Sequence, residues 1–489
     1  MRTTRLLRAY SLLGSGAALT TLISLVATKL YALTLGTEGF AQLTLLNAFL
    51  SIAVLFCATG VSTAFVREGV RSLTAAARIP YGTVRAAGHL LVFATSLALV
   101  IVTLGASDGV LDWFFDDSIG RSSLLLIAAA VFFQTAGGIS LASLNAQRRL
   151  RSIVGIEALK ALLLPVSIIP LALWAGPTGV AGGLLLASAL GAALAAVADR
   201  RGRPALAAEP ARQEATSASP TIQLRHAVLA LLAASLPLAA STALGSSAQY
   251  LLPIIVLHQL DVTSVSYLRA GQGPSASYLN IFASLLSRDL YPRLCEASDE
   301  PSAMTEIVNE QQRLLMSVAA PGSIALFGCA PLLIPLLYSG EFLPAVPLFR
   351  WMVLSDLLRF YTWPLGYVLL AQGRSRAYLV AQGTLWLGTL AGSYLGAELG
   401  GLSGVGAGLL AANALHLLVQ LLLIRQRVAF HYSLASGAGF LWVAAAALPL
   451  WLLASWSPGW AAPIVSASMA AGLLAINARG VLRQILQRA

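Results

Sequence analysis

Of the 489 residues, 57% are hydrophobic and only 10% are charged; an ordinary soluble domain carries about 25% charged residues, so that class is excluded. The formal net charge is +11, but the basic residues sit in short segments between apolar runs and form no continuous stripe, which excludes nucleic acid as a partner. The apolar runs are roughly 18–25 residues long, enough to cross ~30 Å of hydrocarbon as helices, and the period-two alternation that a closed barrel requires is absent.

Fourteen crossings are predicted in chain order, at 11–35, 40–66, 86–107, 122–144, 152–174, 179–198, 230–257, 264–287, 314–338, 346–370, 377–398, 404–424, 434–456 and 461–478. The first follows Arg2, Arg5 and Arg8 and runs on to about Leu35 without a clear small-residue cleavage site, so it reads as a retained helix and not as a cleaved leader. In the seventh, Pro237 and Pro253 interrupt the run and predict a kink. If the N-terminus is cytoplasmic, 25 of the 31 Lys and Arg residues fall on the inner side in eight consecutive segments, whereas the outer loops hold Arg121 with a set of Asp and Glu. This bias orients the chain with both ends in the cytoplasm.

Two stretches recur at an offset of 225 residues. Leu144-Asn145-Ala146-Gln147-Arg148-Arg149-Leu150-Arg151 ends the fourth helix, and Leu369-Leu370-Ala371-Gln372-Gly373-Arg374-Ser375-Arg376 ends the tenth. Gly179-Val180-Ala181-Gly182-Gly183 opens the sixth helix as Gly404-Val405-Gly406-Ala407-Gly408 opens the twelfth. A six-helix unit leaves both copies in the same orientation, a parallel repeat about an axis along the membrane normal. The expected organisation is an all-α membrane protein of two such lobes: residues 1–198 form the N-terminal lobe, 199–225 a cytoplasmic linker and 226–428 the C-terminal lobe. Residues 429–489 add two transmembrane helices outside the repeat.

Catalytic and cofactor chemistry has little foothold. Cys57, Cys295 and Cys329 have no metal-ligand spacing, the five histidines are scattered, and no Gly-rich Lys loop is present to cradle a nucleotide. No cofactor or metal is expected. The informative residues are the charges left inside helices: Lys29, Glu157, Lys160, Arg269, Arg350, Asp356 and Arg359. A charge at mid-helix costs roughly 2.5–3.5 kcal/mol on insertion scales and usually faces a protein-lined cavity. Arg350 is placed at the outer mouth of the tenth helix, within snorkelling reach of water. Glu157–Lys160 and Asp356–Arg359 are spaced i, i+3 and form candidate ion pairs. Arg359 lies roughly 20 Å below the outer end of its helix, too deep to snorkel. Basic groups outnumber acids in this set, so an anion is the expected ligand. His416 and His89 are candidates for a proton-coupled step.

Lys29 with Gly36-Thr37-Glu38-Gly39, and Leu348-Phe349-Arg350-Trp351 with Ser355-Asp356-Leu357-Leu358-Arg359, Gly366-Tyr367, Ala371 and Tyr378, resemble patches of the Wzx-type flippases. That family serves O-antigen and enterobacterial common antigen, and its superfamily also holds multidrug extruders and the lipid II flippase. The resemblance implies a two-lobed bundle that carries an oligosaccharide on undecaprenyl diphosphate across the bacterial inner membrane, in contact with membrane lipid. A polysaccharide polymerase and a chain-length regulator are the implied protein partners. Lys29, Lys160, Arg269 and Arg359 are then the expected diphosphate ligands, with Glu157, Asp356 and His416 as pairing or coupling groups. Three other readings compete: a multidrug or organic-cation antiporter, which calls for buried carboxylates; a lipid II flippase; and a membrane-embedded glycosyltransferase, which calls for a larger outer loop.

Overall fold

The computed structural model describes residues 2–73, 79–115, 118–201, 220–298, 300–426, 430–433 and 461–488, with a few single positions between 445 and 452. Helices are numbered here by crossing. Arg2–Val54 breaks at Gly36 (φ 65°, ψ −169°), separating helix one from helix two, which continues through a π turn at Leu55–Thr59 and on through Gly60–Ser72. Tyr81–Gly105 is helix three, Ser107–Phe115 a short connecting helix, and Arg121–Ala146 helix four. Leu150–Arg201 breaks at Ala175–Gly176 into helices five and six. Pro220–Gln259, Val262–Glu296, Pro301–Leu337 and Val346–Ala371 are helices seven to ten. Ser375–Arg425 breaks at Gly400–Gly401 into helices eleven and twelve, and Ala461–Arg488 is helix fourteen. Each described helix lies where the apolar runs placed it; the expected thirteenth, 434–456, falls outside the described residues. Helix seven runs as helix without a break from Pro220 to Gln259, through both Pro237 and Pro253. The expected linker 199–225 is helical at both ends, and its middle, 202–219, lies outside the described residues.

The chain forms two compact units, Met1–Ile254 and Ile255–Ala489. In the first, Phe65 of helix two fits against Gly88 of helix three, where a Cβ would come within 3.0 Å of its ring. Val84, Ala87, Leu91, Val92, Ile139 and Ala142 close the core around it, joined by Ala227 and Leu231 of helix seven. Lipid tails are as apolar as leucine, so such contacts hold by close packing more than by escape from water.

The 225-residue repeat is present in the backbone. Between helices five and six, Ala175–Gly176 has φ/ψ of −130°/17° and 56°/−133°, and between eleven and twelve Gly400–Gly401 has −148°/21° and 56°/−142°. At the turns after helices four and ten the left-handed residue is Arg148 (φ 56°) in one copy and Gly373 (φ 67°) in the other. The next residue makes the same hydrogen bond in both copies: Arg149 Nη1 donates to Ala198 O at 2.6 Å, and Arg374 Nη1 to Leu423 O at 2.8 Å. Both cations thereby satisfy an orphan carbonyl at the negative end of a helix.

The helices paired across the 175–176 and 400–401 turns touch backbone to backbone. A Cβ on Gly179 would sit 1.7 Å from Leu171 O, and one on Gly404 would sit 1.9 Å from Gly396 O; 171 and 396 are again 225 apart. In helix eleven Gly388, Gly392 and Gly396 face Ala412, Gly408 and Gly404 of helix twelve. This small-residue stripe is how helices approach closely in a membrane.

Helix nine contains Pro321, Pro331 and Pro335. A proline has no N–H to give to the carbonyl four residues back, so Pro321 frees Ser317 O and Pro331 frees Phe327 O. Neighbouring helices supply both missing donors. Asn477 Nδ2 of helix fourteen reaches Ser317 O at 2.8 Å, and Arg350 Nε of helix ten reaches Phe327 O at 3.2 Å. Helix fourteen is therefore fastened to the second unit by a backbone defect as well as by packing, including Ser466 against Gly328.

Candidate functional site

The buried charges are best described unit by unit. In the first, Lys160 Nζ lies 3.1 Å from Glu157 Oε1 on one face of helix five, with the two side chains 32% and 45% exposed. The methylene stem of Lys160 rests on Gly191 of helix six, where a Cβ would meet its Cγ at 3.0 Å; glycine leaves a groove for the stem and lets the ammonium reach its partner. Lys29 is half-buried on helix one. A further cluster joins the start of helix three to the ends of helices four and six. Buried Asp199 accepts from Arg85 Nη1 at 3.0 Å, Ser143 Oγ at 2.5 Å and Gln147 Nε2 at 3.1 Å, and Tyr81 OH meets Ser143 Oγ at 2.5 Å. Sequence reasoning missed this cluster because it counted Arg85 and Asp199 as loop charges; both fall inside helices, and that was the available signal.

In the second unit Arg269 of helix eight is exposed. Arg350 is not at the helix mouth in water: its guanidinium turns inward over the Phe327 ring, 5.4 Å from the centroid, and holds the carbonyl freed by Pro331. Asp356 is 4% exposed and accepts a 2.5 Å hydrogen bond from Ser275 Oγ of helix eight. Arg359 Nη1 approaches the other carboxylate oxygen at 3.7 Å, close enough for charge pairing and too long for a hydrogen bond. The expected pair is present but loose, because Ser275 already holds the carboxylate while the guanidinium, 36% exposed, leans toward Trp363.

Arg359 opens onto a cavity of about 320 Å³ between helices ten, eleven and twelve. Thr362, Trp363, Gly366 and Tyr367 follow it down helix ten, Tyr378, Gln382 and Trp386 face it from helix eleven, and His416 and Gln420 from helix twelve. His416 is buried, with Nδ1 2.8 Å from Ala381 O; a carbonyl only accepts, so Nδ1 carries a proton and Nε2 is the ring nitrogen left for another partner. Gly366 lets Gln420 and Tyr378 approach the bare backbone, each 3.6 Å from where a Cβ would stand. Of the expected ligands, Arg359 and His416 meet at this cavity, and Asp356 lies directly behind Arg359. Arg269 does not line it, and Lys29, Lys160 and Glu157 belong to the other unit. Tyr367 and Tyr378 belong to the residues that carried the family resemblance, whereas Trp363 and Trp386 went unread because they stand on two helices with no spacing to mark them. No group of His, Cys, Asp and Glu among the described residues has the arrangement of a metal site.

Apolar helices of membrane-crossing length and a duplicated backbone define a multi-pass membrane protein. Residues 32–347 match the family described as polysaccharide biosynthesis protein, and the chain belongs to that family. The fold is similar to lipid II flippase MurJ in an inward-closed conformation, with a TM-score of 0.72 and 13% identity over 97% of this chain and 99% of that one. It is also similar to a multidrug resistance MATE family transporter of the MOP superfamily in an inward-facing conformation, with a TM-score of 0.64 and 18% identity over 84% of this chain and 94% of that one. The outward-facing conformation of such a transporter scores 0.56 at 17% identity, over 85% and 93%. No curated protein matches by sequence. At these identities the structural likeness establishes the fold.

Proposed function

We propose that this chain is a flippase that moves an oligosaccharide, linked to undecaprenyl diphosphate, from the inner to the outer leaflet of the bacterial inner membrane. Membership of a polysaccharide biosynthesis family supports the cargo, and the fold supports transport by alternating access. In this reading the lobes are residues 1–198 and 226–428, joined by 199–225 and followed by two further helices, with both ends cytoplasmic. Lys29, Lys160, Arg269 and Arg359 hold the diphosphate in turn, while Glu157, Asp356 and His416 pair with them or take part in coupling. A polymerase and a chain-length regulator receive the exported units.

The observation that carries the proposal is the state of Arg359. It sits at membrane depth on a cavity, and its only charged partner on helix ten is 3.7 Å away with one oxygen bound elsewhere. Such a guanidinium is poised for an anion whose oxygens it can bind in bidentate fashion. With the outside positive, each negative charge moved outward gains up to ~2.3 kcal/mol per 100 mV if it crosses the whole field.

The test is surface polysaccharide in a strain deleted for this chain and complemented with Arg359→Ala or Arg359→Lys. The alanine variant, present in the membrane at wild-type level, is expected to abolish export, and the lysine variant to retain part of it. Wild-type export from the alanine variant would remove Arg359 from the mechanism. Lysis on deletion, instead of loss of a surface glycan, would assign the chain to lipid II.

A further inference from the structure

The wall of the cavity beside Arg359 buries an unsatisfied group that the diphosphate reading does not use. Gln420 is 1% exposed and lines the cavity, yet its Oε1 has no hydrogen-bond partner among the described residues. A buried acceptor without a donor costs about 1–3 kcal/mol, so it calls for a ligand that donates. A phosphate at neutral pH supplies acceptors and leaves Gln420 Oε1 unmet. A sugar hydroxyl supplies the donor.

The rest of the lining has the same character. Trp363 and Trp386 present indole rings, and Tyr367 and Tyr378 present phenols. Pyranose rings carry patches of C–H bonds that pack on aromatic faces, while their hydroxyls reach amides and imidazoles at the edge. Gln382, Gln420 and His416 supply those edge groups, and the bond of His416 Nδ1 to Ala381 O leaves Nε2 for a ligand. A volume of about 320 Å³ lies at the low end of the ~300–1,000 Å³ typical of ligand pockets. It accommodates a group of monosaccharide size and not a whole oligosaccharide.

We infer that this cavity of the second unit is a sugar subsite for the ring attached directly to the diphosphate, with the ring against the indoles, its hydroxyls on Gln420 and Gln382, and its phosphate on Arg359. The inference rests on the flippase reading for its cargo, but its geometry is independent of the other cations. It makes the protein read the first sugar of the cargo and not only its charge.

The test uses the full chain in nanodiscs with three probes: glucose 1-phosphate, galactose 1-phosphate and N-acetylglucosamine 1-phosphate. Inorganic phosphate and the matching methyl glycosides serve as controls, and saturation-transfer NMR detects weak binding. At least one sugar phosphate is expected to show saturable transfer concentrated on ring C–H protons. Gln420→Leu should weaken it about fivefold, the loss of one hydrogen bond. Trp386→Leu should remove the ring signal while leaving phosphate binding unchanged. If Gln420→Leu does not yield folded protein, Trp386→Leu and Gln382→Leu carry the test. Absence of transfer from all three probes, or transfer undiminished in the variants, overturns the subsite. Export lost in Arg359→Ala alongside such a negative result leaves the flippase reading standing. Saturable sugar-phosphate binding in a protein whose deletion leaves export intact sinks the flippase reading and keeps the subsite.

Discussion

Arg350 and Pro331 provide a quantitative test of how this membrane protein satisfies its backbone. The Arg350 Nε–Phe327 O bond is 3.2 Å, and that carbonyl lacks its helical donor because residue 331 is proline. Replacing Arg350 by Met keeps an unbranched side chain of similar length. The change removes the donor and the cation–π contact, worth about 0.5–2 kcal/mol, but it also removes a buried charge with one nitrogen, Nη2, that has no partner in the described structure. The single-variant effect is therefore a small difference between opposing contributions. A double-mutant cycle isolates the carbonyl. In a Pro331→Ala background the residue 331 N–H can complete the helix, so Arg350→Met no longer orphans Phe327 O. The orphan penalty is about 1–3 kcal/mol in general, while measured hydrogen-bond contributions inside membranes average ~0.6 and reach ~1.7 kcal/mol. The cycle should show a coupling of about 1–1.5 kcal/mol, with Arg350→Met less damaging when Pro331 is absent. Equilibrium unfolding in mixed detergent micelles, followed by tryptophan fluorescence, measures all four proteins. Additivity within about 0.5 kcal/mol would refute the view that Arg350 is retained as a substitute backbone donor.

The remaining predictions use the same assay. Asn477→Leu should cost about 1 kcal/mol by orphaning Ser317 O, and Pro321→Ala should relieve that cost; an equal loss in both backgrounds would dismiss the pairing. Arg148→Gly should stabilise the fold by about 0.5–1 kcal/mol, because it removes a left-handed strain of about 1–2 kcal/mol at slightly greater chain entropy. A clear loss of stability would mean that the Arg148 side chain matters more than its backbone. Gly392→Ala would place a Cβ 2.6 Å from Gly408 O and should cost at least about 2–3 kcal/mol by overpacking. Gly388→Ala, whose Cβ would meet Ala412 Cβ at 3.4 Å, should cost under about 1 kcal/mol. Equal effects would show that the stripe is not in backbone contact.

The helices were legible because each crossing must be an apolar run of a minimum length, a constraint that acts on composition and needs no partner. The duplication was legible for a related reason. Gln147, Arg149 and Arg151 reappear as Gln372, Arg374 and Arg376, and the structure explains why the middle residue recurs: it holds the end of helix six or twelve. Arg148 and Gly373 do not match in sequence, although they have the same backbone. Arg359 was legible as a charge in mid-helix, and Tyr367 and Tyr378 as part of the family-like patch, but Trp386 and Gln420 were not, since tertiary packing alone brings them beside it. Arg350 was misplaced at the water surface because depth along a helix says nothing about which way a side chain turns; a proline on another helix decided that.

The glycine contacts between helices five and six, and between eleven and twelve, carry a mechanical consequence. Where main chains touch there is no side chain to change rotamer or slide, so the touching stretches of each hairpin move as one. Whatever bending accompanies a working cycle is left to segments with interrupted ladders, and helix nine, with three interior prolines, is such a segment. Its borrowed donors, Asn477 and Arg350, are also the fastenings most easily undone and remade, which makes that helix a natural place for a joint.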